Sequence, residues 1–372
     1  MSFCPYFDTH QCRSCSWIDY YYAEQLKLKN DHLHTLLDPY APRDWLKPAT
    51  SSLKGFRNKA KMVATPTIDG VVLGLSEEVN LIECPLYDPS MQKVLHTVQE
   101  WLRELKIKGY DLKKRKGELK YVLLTRSKWS GTMMLRFVLR SHGIIGRLKK
   151  GLDDLLKRSP ELKVVTANIQ PVHMAILEGD EEIFFTEARR LEERFNGVPL
   201  FIRPKSFFQT NPEVAEKLYR TASEWADESK PKILWDLFCG VGGFALHCAA
   251  PDRHIVGIEI EAEAIACARD SAAQLEMQTV RFESLDAATF SATAGEKPDL
   301  IIVNPPRRGL GEQICKWLTR VGSERILYSS CNAMSLAKDL ESLSRYSLKR
   351  VQLFDMFPHT AHYEVLVELV RE

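Results

Sequence analysis

Ile233-Leu234-Trp235-Asp236-Leu237-Phe238-Cys239-Gly240-Val241-Gly242-Gly243-Phe244-Ala245 is the stretch that decides the fold. The run from Ile233 to Leu237 has the length and apolar character of a buried strand, and the glycines after it let the backbone turn sharply and approach a ligand before a helix begins. Downstream, short apolar strands alternate with helical stretches: Ile255 to Glu259, Val280 to Phe282, Leu300 to Val303, Ile326 to Tyr328, Val351 to Phe354 and Glu364 to Val370. That makes seven strands with helices between them, which predicts an α/β, doubly wound, Rossmann-like domain. We place it at residues 205–372, with its first helix capped by Asn211 and started by Pro212.

Gly240-x-Gly242-x-x-Ala245 satisfies the dinucleotide fingerprint literally, and Glu259 ends the next strand, where an acid can accept hydrogen bonds from both ribose hydroxyls. A nicotinamide-dependent oxidoreductase therefore has to be weighed. The fourth strand discriminates. It runs into Asn304-Pro305-Pro306-Arg307-Arg308-Gly309, a polar side chain and a rigid diproline over the same cleft. An S-adenosylmethionine-dependent methyltransferase uses that loop beside the methyl group, and a dehydrogenase has no use for it. Amino-methyltransferases carry an aromatic residue after Asn-Pro-Pro, and Arg307 in that place argues against an exocyclic nitrogen as target.

Next comes Ser329-Ser330-Cys331-Asn332, between a strand at Arg325 to Tyr328 and a helix over Ala333 to Leu343 for which Asn332 is the expected N-cap. A thiol there is expected to have its pKa lowered by the helix dipole. The bland alternative is a small packing residue, since free cysteine is among the most buried types. Glu364 precedes the apolar Val365-Leu366-Val367, and burial there is expected to raise its pKa toward the range of a useful base.

Residues 51–204 read as a central α+β, RNA-binding domain, with strands at Lys61 to Ala64, Tyr121 to Thr125, Thr132 to Val138 and Val164 to Ile169 and a helix over Tyr87 to Leu105. The whole-chain charge of +2 announces no polyanion partner, but Arg103 to Lys128 holds ten Lys or Arg against three acids. Lys54, Arg57, Lys59 and Lys61, the Lys113 to Lys120 loop, Arg136 and Arg140 sit on loops or strands, where they suit RNA phosphates; the plainer alternative is a solvated face.

Residues 1–50 carry Cys4, Cys12 and Cys15 in a C-x7-C-x2-C pattern, and Cys84 follows far along the chain before Pro85. Four thiolates suit zinc or an iron-sulfur cluster, and three clustered cysteines with a remote Cys-Pro follow the ferredoxin style, which favours a [4Fe-4S] cluster over zinc, with unliganded thiols as the plain alternative. A polar-faced helix over Ile18 to Leu37 reads as a linker beside it. Cys239, Cys248, Cys267 and Cys315 read as packing residues, and His359 and His362 lack metal-site spacing. No apolar leader or membrane-length run occurs, so a cytoplasmic protein with no membrane role is expected, in which cysteines serve metal binding or catalysis rather than disulfides.

Assembled in order, these residues resemble the uracil-C5 RNA methyltransferase family, and most of all its branch acting on 23S ribosomal RNA. The resemblance runs over the four cysteines, Gly55-Phe56-Arg57-Asn58-Lys59, Phe207-Phe208-Gln209-Thr210-Asn211, Asp236 to Gly240, Asn304 to Arg307, Ser329 to Asn332 and His359-Thr360-Ala361-His362-Tyr363-Glu364. It implies Cys331 as nucleophile, Glu364 as general base, Gln209, Phe238, Glu259 and Asn304 as contacts to S-adenosyl-L-methionine, and Cys4, Cys12, Cys15 and Cys84 as cluster ligands. It also implies a monomer acting on 23S ribosomal RNA in an unassembled or partly assembled large subunit. Relatives acting on other RNA sites often carry Asp where Asn304 stands, and some carry an amino-terminal RNA-binding barrel for which no room is expected before Cys4. The target uracil must be splayed out to reach Cys331, and Phe207 or Phe208 is expected to stack on it. The alternatives are another rRNA or tRNA uridine, or a non-catalytic iron-sulfur protein that binds RNA or senses redox state.

Overall fold

A computed structural model describes residues 3–68, 70–75, 79–173, 177–286, 290 and 297–372. The chain forms two compact units, each assembled from two separated stretches: Met1–Arg13 with Leu53–Glu193, and Ser14–Ser52 with Arg194–Glu372. This division differs from the three consecutive segments expected at 1–50, 51–204 and 205–372, because residues 14–52 join the carboxyl-terminal unit.

That unit is built on an eight-stranded sheet. Its strands are β1 Asp44–Trp45, β2 Ile233–Leu237, β3 His254–Glu259, β4 Val280–Ser284, β5 Leu300–Val303, β6 Arg325–Ser330, β7 Tyr346–Phe354 and β8 Glu364–Arg371. Their order across the sheet is β1-β7-β8-β6-β5-β2-β3-β4, and β8 alone runs antiparallel to its neighbours. The strands expected from sequence are all present. Buried parallel strands are continuous apolar runs, which is why a single sequence shows them so plainly. β1 was not expected, since two residues carry no period.

Helix α1, Tyr22–Leu37, buries Gln25, Lys29, Leu33 and Leu37 at a spacing of four, one stripe of the helix. Leu33 and Leu37 enter the same core as Trp235, Val303, Tyr328, Leu336 and Val367. The expectation of a linker beside the cysteines is thus corrected. The stripe includes an amide and an ammonium, which made the helix read as polar-faced. Helix α2, Pro212–Ser229, has Asn211 as N-cap with its side chain accepting from Val214 N, and Pro212 in its first turn, as the sequence predicts.

In the other unit a six-stranded sheet runs in the order Gly70–Gly74, Lys59–Thr67, Leu119–Arg126, Met133–Leu139, Leu162–Ile169 and Glu181–Phe184. Helix Pro89–Glu104 is capped by Asp88 and buries Met91, Leu95, Val98 and Trp101. Trp101 stacks on Phe137 at 5.9 Å and donates to Gly151 O at 3.0 Å. Helix Ile145–Arg158 escaped the sequence reading because it buries only Leu148 and Leu155.

The cationic face predicted for this unit is smaller than expected. Arg136 is buried and paired with Glu178 and Glu182, its Nε donating to Glu182 Oε1 at 2.8 Å. Arg140 pairs with Glu118, and Lys120 is buried against Gln170 and Val172 O. A buried cation needs an anion or strong acceptors, so Arg136 and Lys120 are committed within the fold, while Arg140 is partly exposed beside its carboxylate. Lys54, Lys61, Lys113, Lys114, Arg115 and Lys116 remain exposed. Among the described residues no helix is long and apolar enough to cross a membrane.

Candidate active site

The order of the sheet places a crevice at the carboxyl end of β2, where the direction of strand addition reverses. Leu237 pairs with Ile258 of β3 and with Val303 of β5, so Phe238, Glu259 and Asn304 follow from three adjacent strand ends. Phe238 adopts φ +62°, rare for a residue with a side chain and most often kept where function requires it. Gly242, at φ +83°, leaves no room for substitution, since a Cβ there would lie 2.7 Å from Phe282 Cζ.

The Glu259 carboxylate accepts from Ile260 N at 2.8 Å and Glu261 N at 3.0 Å through Oε1, and from Gly240 N at 3.2 Å through Oε2. A carboxylate offers about four acceptor sites. Three are used by backbone N–H groups, which leaves acceptor capacity for a further donor. Asp236 is fully buried; its Oδ2 accepts from Ala245 N at 2.9 Å, and its Oδ1 has no hydrogen-bond partner. Burial pushes its pKa up to about 8, with the nearby Glu259 adding to the rise. Gln209 is buried and hydrogen-bonded to Tyr219. An orphaned carboxylate oxygen, a glycine cradle and an acid at the next strand end fit the ammonium and ribose of S-adenosylmethionine.

One strand further along, β6 pairs with β5 through Val303–Tyr328 and with β8 through Ser329–Leu366 and Ser330–Val365. Continuing that antiparallel register by one residue sets Cys331 opposite Glu364. Glu364 is buried, its Oε1 accepts from Ser329 Oγ at 2.7 Å, and desolvation raises its pKa to about 7 while the serine hydrogen bond lowers it. The burial expected from sequence is present.

At Cys331 desolvation outweighs the lowering expected from the helix dipole. Asn332 does cap the following helix, accepting from Met334 N at 3.2 Å. Yet the Cys331 thiol is raised above its ordinary value, by desolvation first and then by the charge of Glu364. Arg307 opposes both through its charge and a hydrogen bond to the thiol. Its backbone is tied in turn by Asn332 Nδ2, which donates to Arg307 O at 3.0 Å. The sequence places Arg307 and Ser329 within recognisable motifs but assigns no role to either at the thiol or the base.

The two phenylalanines part company. Phe208 is buried against Phe195 at 5.2 Å, whereas Phe207 is 68% exposed. Cys239, Cys248, Cys267 and Cys315 are all buried, and burial raises the thiols of Cys239, Cys248 and Cys315. Among the described residues no three ligand-type side chains lie close enough to hold a metal ion. Cys4, Cys12 and Cys84 belong to one unit and Cys15 to the other. Burial pushes the Cys84 thiol up to about 11, with Cys4 and Cys12 near enough to add to the rise.

The chain is 54% identical to a 23S rRNA (uracil(747)-C(5))-methyltransferase, RlmC, of Shewanella baltica (strain OS195), over 99% of this chain and 97% of that protein. It belongs to the uracil-C5 RNA methyltransferase family. A family model described as tRNA (Uracil-5-)-methyltransferase matches residues 200–372. The RlmC of Escherichia fergusonii is 49% identical over 99% of this chain and all of that one. Among solved structures, the Pyrococcus abyssi tRNA (uracil-54, C5)-methyltransferase in complex with S-adenosyl-L-homocysteine superposes with a TM-score of 0.79 at 26% identity, over 96% of this chain and 85% of that one. As a uracil-C5 RNA methyltransferase the chain is an S-adenosylmethionine-dependent enzyme, and the nicotinamide reading of the glycine loop falls away.

Proposed function

We propose that this enzyme methylates C5 of a single uridine in 23S ribosomal RNA, the uridine numbered 747 for which its relatives are named. The observation that carries the chemistry is the register of β6 against β8, which sets Cys331 opposite a buried Glu364 one strand away from the cofactor crevice. Uracil C5 is a poor nucleophile until a thiolate adds to C6 and turns the ring into an enolate. Cys331 makes that bond, helped by Arg307. Bound S-adenosylmethionine would supply the electrophilic methyl group for C5, its S–CH3 bond breaking as the sulfonium leaves as the neutral thioether S-adenosylhomocysteine. Glu364 then takes the C5 proton; the C5–H electron pair re-forms the C5–C6 double bond, the C6–S bond breaks, and Cys331 leaves as thiolate. Gln209, Phe238, Glu259 and Asn304 hold the cofactor, and Phe207 stacks on the extruded base.

Lys54, Lys61 and the Lys113 to Lys116 loop supply phosphate contacts, and the enzyme works as a cytoplasmic monomer on RNA not yet fully assembled into the large subunit. We also assign Cys4, Cys12, Cys15 and Cys84 to a [4Fe-4S] cluster. Cys4 and Cys12 lie near enough to Cys84 to act on its thiol, and cysteines gathered in this way suit cluster ligation. Iron and sulfide analysis of anaerobically purified protein, with Cys84→Ala as control, tests that assignment.

Mass mapping of 23S rRNA from a deletion strain tests the substrate: one uridine should lose one methyl group, and a missing methyl on tRNA instead would redirect the reading. RNA containing 5-fluorouridine lacks the removable proton, so it should form a denaturation-resistant adduct with the wild type and none with Cys331→Ala.

A further inference from the structure

β6 lies in the interior of the sheet, where an apolar side chain is the expected occupant, yet Ser329 is 0% exposed there. Burying a hydroxyl is unfavourable unless it finds a partner. Ser330 serves the turn, accepting from Asn332 N at 3.1 Å and donating to Asn332 O at 3.0 Å. Ser329 has another partner. Side chains alternate along a strand, so Ser329 and Cys331 share one face. Ser329 pairs with Leu366, so Glu364 is its diagonal neighbour on that same face. Across this diagonal Ser329 Oγ donates to Glu364 Oε1 at 2.7 Å.

We propose that Ser329 is the positioning residue for the base: it anchors one oxygen of Glu364 and leaves the other for the C5 proton of a uracil held on Cys331. This rests on the assignment of Cys331 and Glu364 above. The hydroxyl has a single hydrogen, and donating it to Oε1 favours the ionised carboxylate over the protonated acid. Cys331 on the same face carries negative charge once ionised, and Arg307 faces that thiol. Tyr219 of α2 lies within electrostatic range as a neutral phenol, and Phe354 of β7, opposite Glu364, is apolar. Ser329 therefore both aims the base and favours its ionised form.

The test uses full-length Ser329→Ala and Ser329→Thr with RNA carrying tritium at uridine C5 and methyl-labelled S-adenosylmethionine, from about pH 5.5 to about pH 9. In Ser329→Ala, methyl transfer into a denaturation-resistant protein–RNA adduct should proceed near the wild-type rate. Tritium release should slow about tenfold near neutrality, and its acid limb should move up by about one pH unit, the size of one hydrogen bond to a carboxylate. Ser329→Thr should restore both. Ser329→Cys, a weaker donor of similar size, should fall between and replaces Ala if that variant does not fold. An unmoved acid limb with tritium release keeping pace with methylation overturns the proposal, as does equal loss of adduct and product in a folded variant. Glu364→Gln separates the two levels: it should accumulate methylated adduct without tritium release at any pH. If Glu364→Gln turns over normally, the assignment of the base fails. If Glu364→Gln is trapped while Ser329→Ala behaves as wild type, only the role of Ser329 fails.

Discussion

Cys331 and Asp236 show how far burial outweighs local effects at single residues. A helix terminus favours a thiolate by a few tenths to about 1 kcal/mol. Desolvation and a carboxylate across the strand act against it, and the thiol is raised above 9.0. In the RNA-free enzyme, alkylation of Cys331 followed by peptide mass spectrometry should therefore still be accelerating at about pH 9, and Arg307→Ala should slow it further, since Arg307 is the group that holds the thiol down. A plateau below pH 8 would contradict this. Asp236 has its pKa raised from 3.8 to about 8, so the folded state keeps a proton that the unfolded chain releases. Its contribution to stability is present at low pH and is lost as pH climbs through that interval. Asp236→Asn keeps an acceptor for Ala245 N without the charge. Its melting temperature should exceed that of the wild type by a margin that grows from pH 6 to pH 9, while its affinity for S-adenosylmethionine falls at least tenfold by titration calorimetry.

At the scale of elements, the loop from β7 to β8 delivers Glu364, and helix α1 holds that loop. Lys29 Nζ donates to Asp355 Oδ1 at 2.5 Å and to Phe357 O at 3.0 Å, with both side chains of the pair wholly buried. Gln25 Oε1 accepts from His359 N at 2.7 Å, which fixes a residue at φ +65° just ahead of the catalytic strand. Removing one member of a buried pair leaves an uncompensated charge, and Lys29→Met should cost about 3–5 kcal/mol in denaturant unfolding. The double variant Lys29→Met/Asp355→Leu should recover most of that loss. Equal instability of the single and double variants would show that the charge itself is not the cause. The helix was legible from its period. Its role was not, because Gln25 and Lys29 look like solvent-facing residues until the loop 330 positions later is brought against them.

On the scale of the whole molecule, neither compact unit is continuous in sequence. A fragment Arg194–Glu372 lacks α1 and β1, so it exposes the sites of Leu33 and Leu37, worth about 1.5–3 kcal/mol each, and strands Asp355 without its lysine. Set against a typical stability of about 5–15 kcal/mol, that loss should leave the fragment without a cooperative melting transition, and supplying Ser14–Ser52 in trans should restore one. A sharp transition in the fragment alone would refute this.

The sequence by itself determined where the strands lie along the chain, the glycine loop, the diproline loop and the cysteine at a strand end, because each is written in consecutive residues and follows from backbone period or turn chemistry. Only the tertiary structure decided which polar side chains find partners. Ser329 meets Glu364 across a strand pair, Lys29 meets Asp355 from the other end of the chain, and Arg136 is spent on Glu178 and Glu182 instead of RNA. Such pairings depend on distance and desolvation between segments remote in the chain, and no local pattern encodes either. The same physics sets the charge states of Cys331 and Asp236, so the residues of this site and the raised Glu364 were legible in the sequence while the state of that thiol and of Asp236 was not.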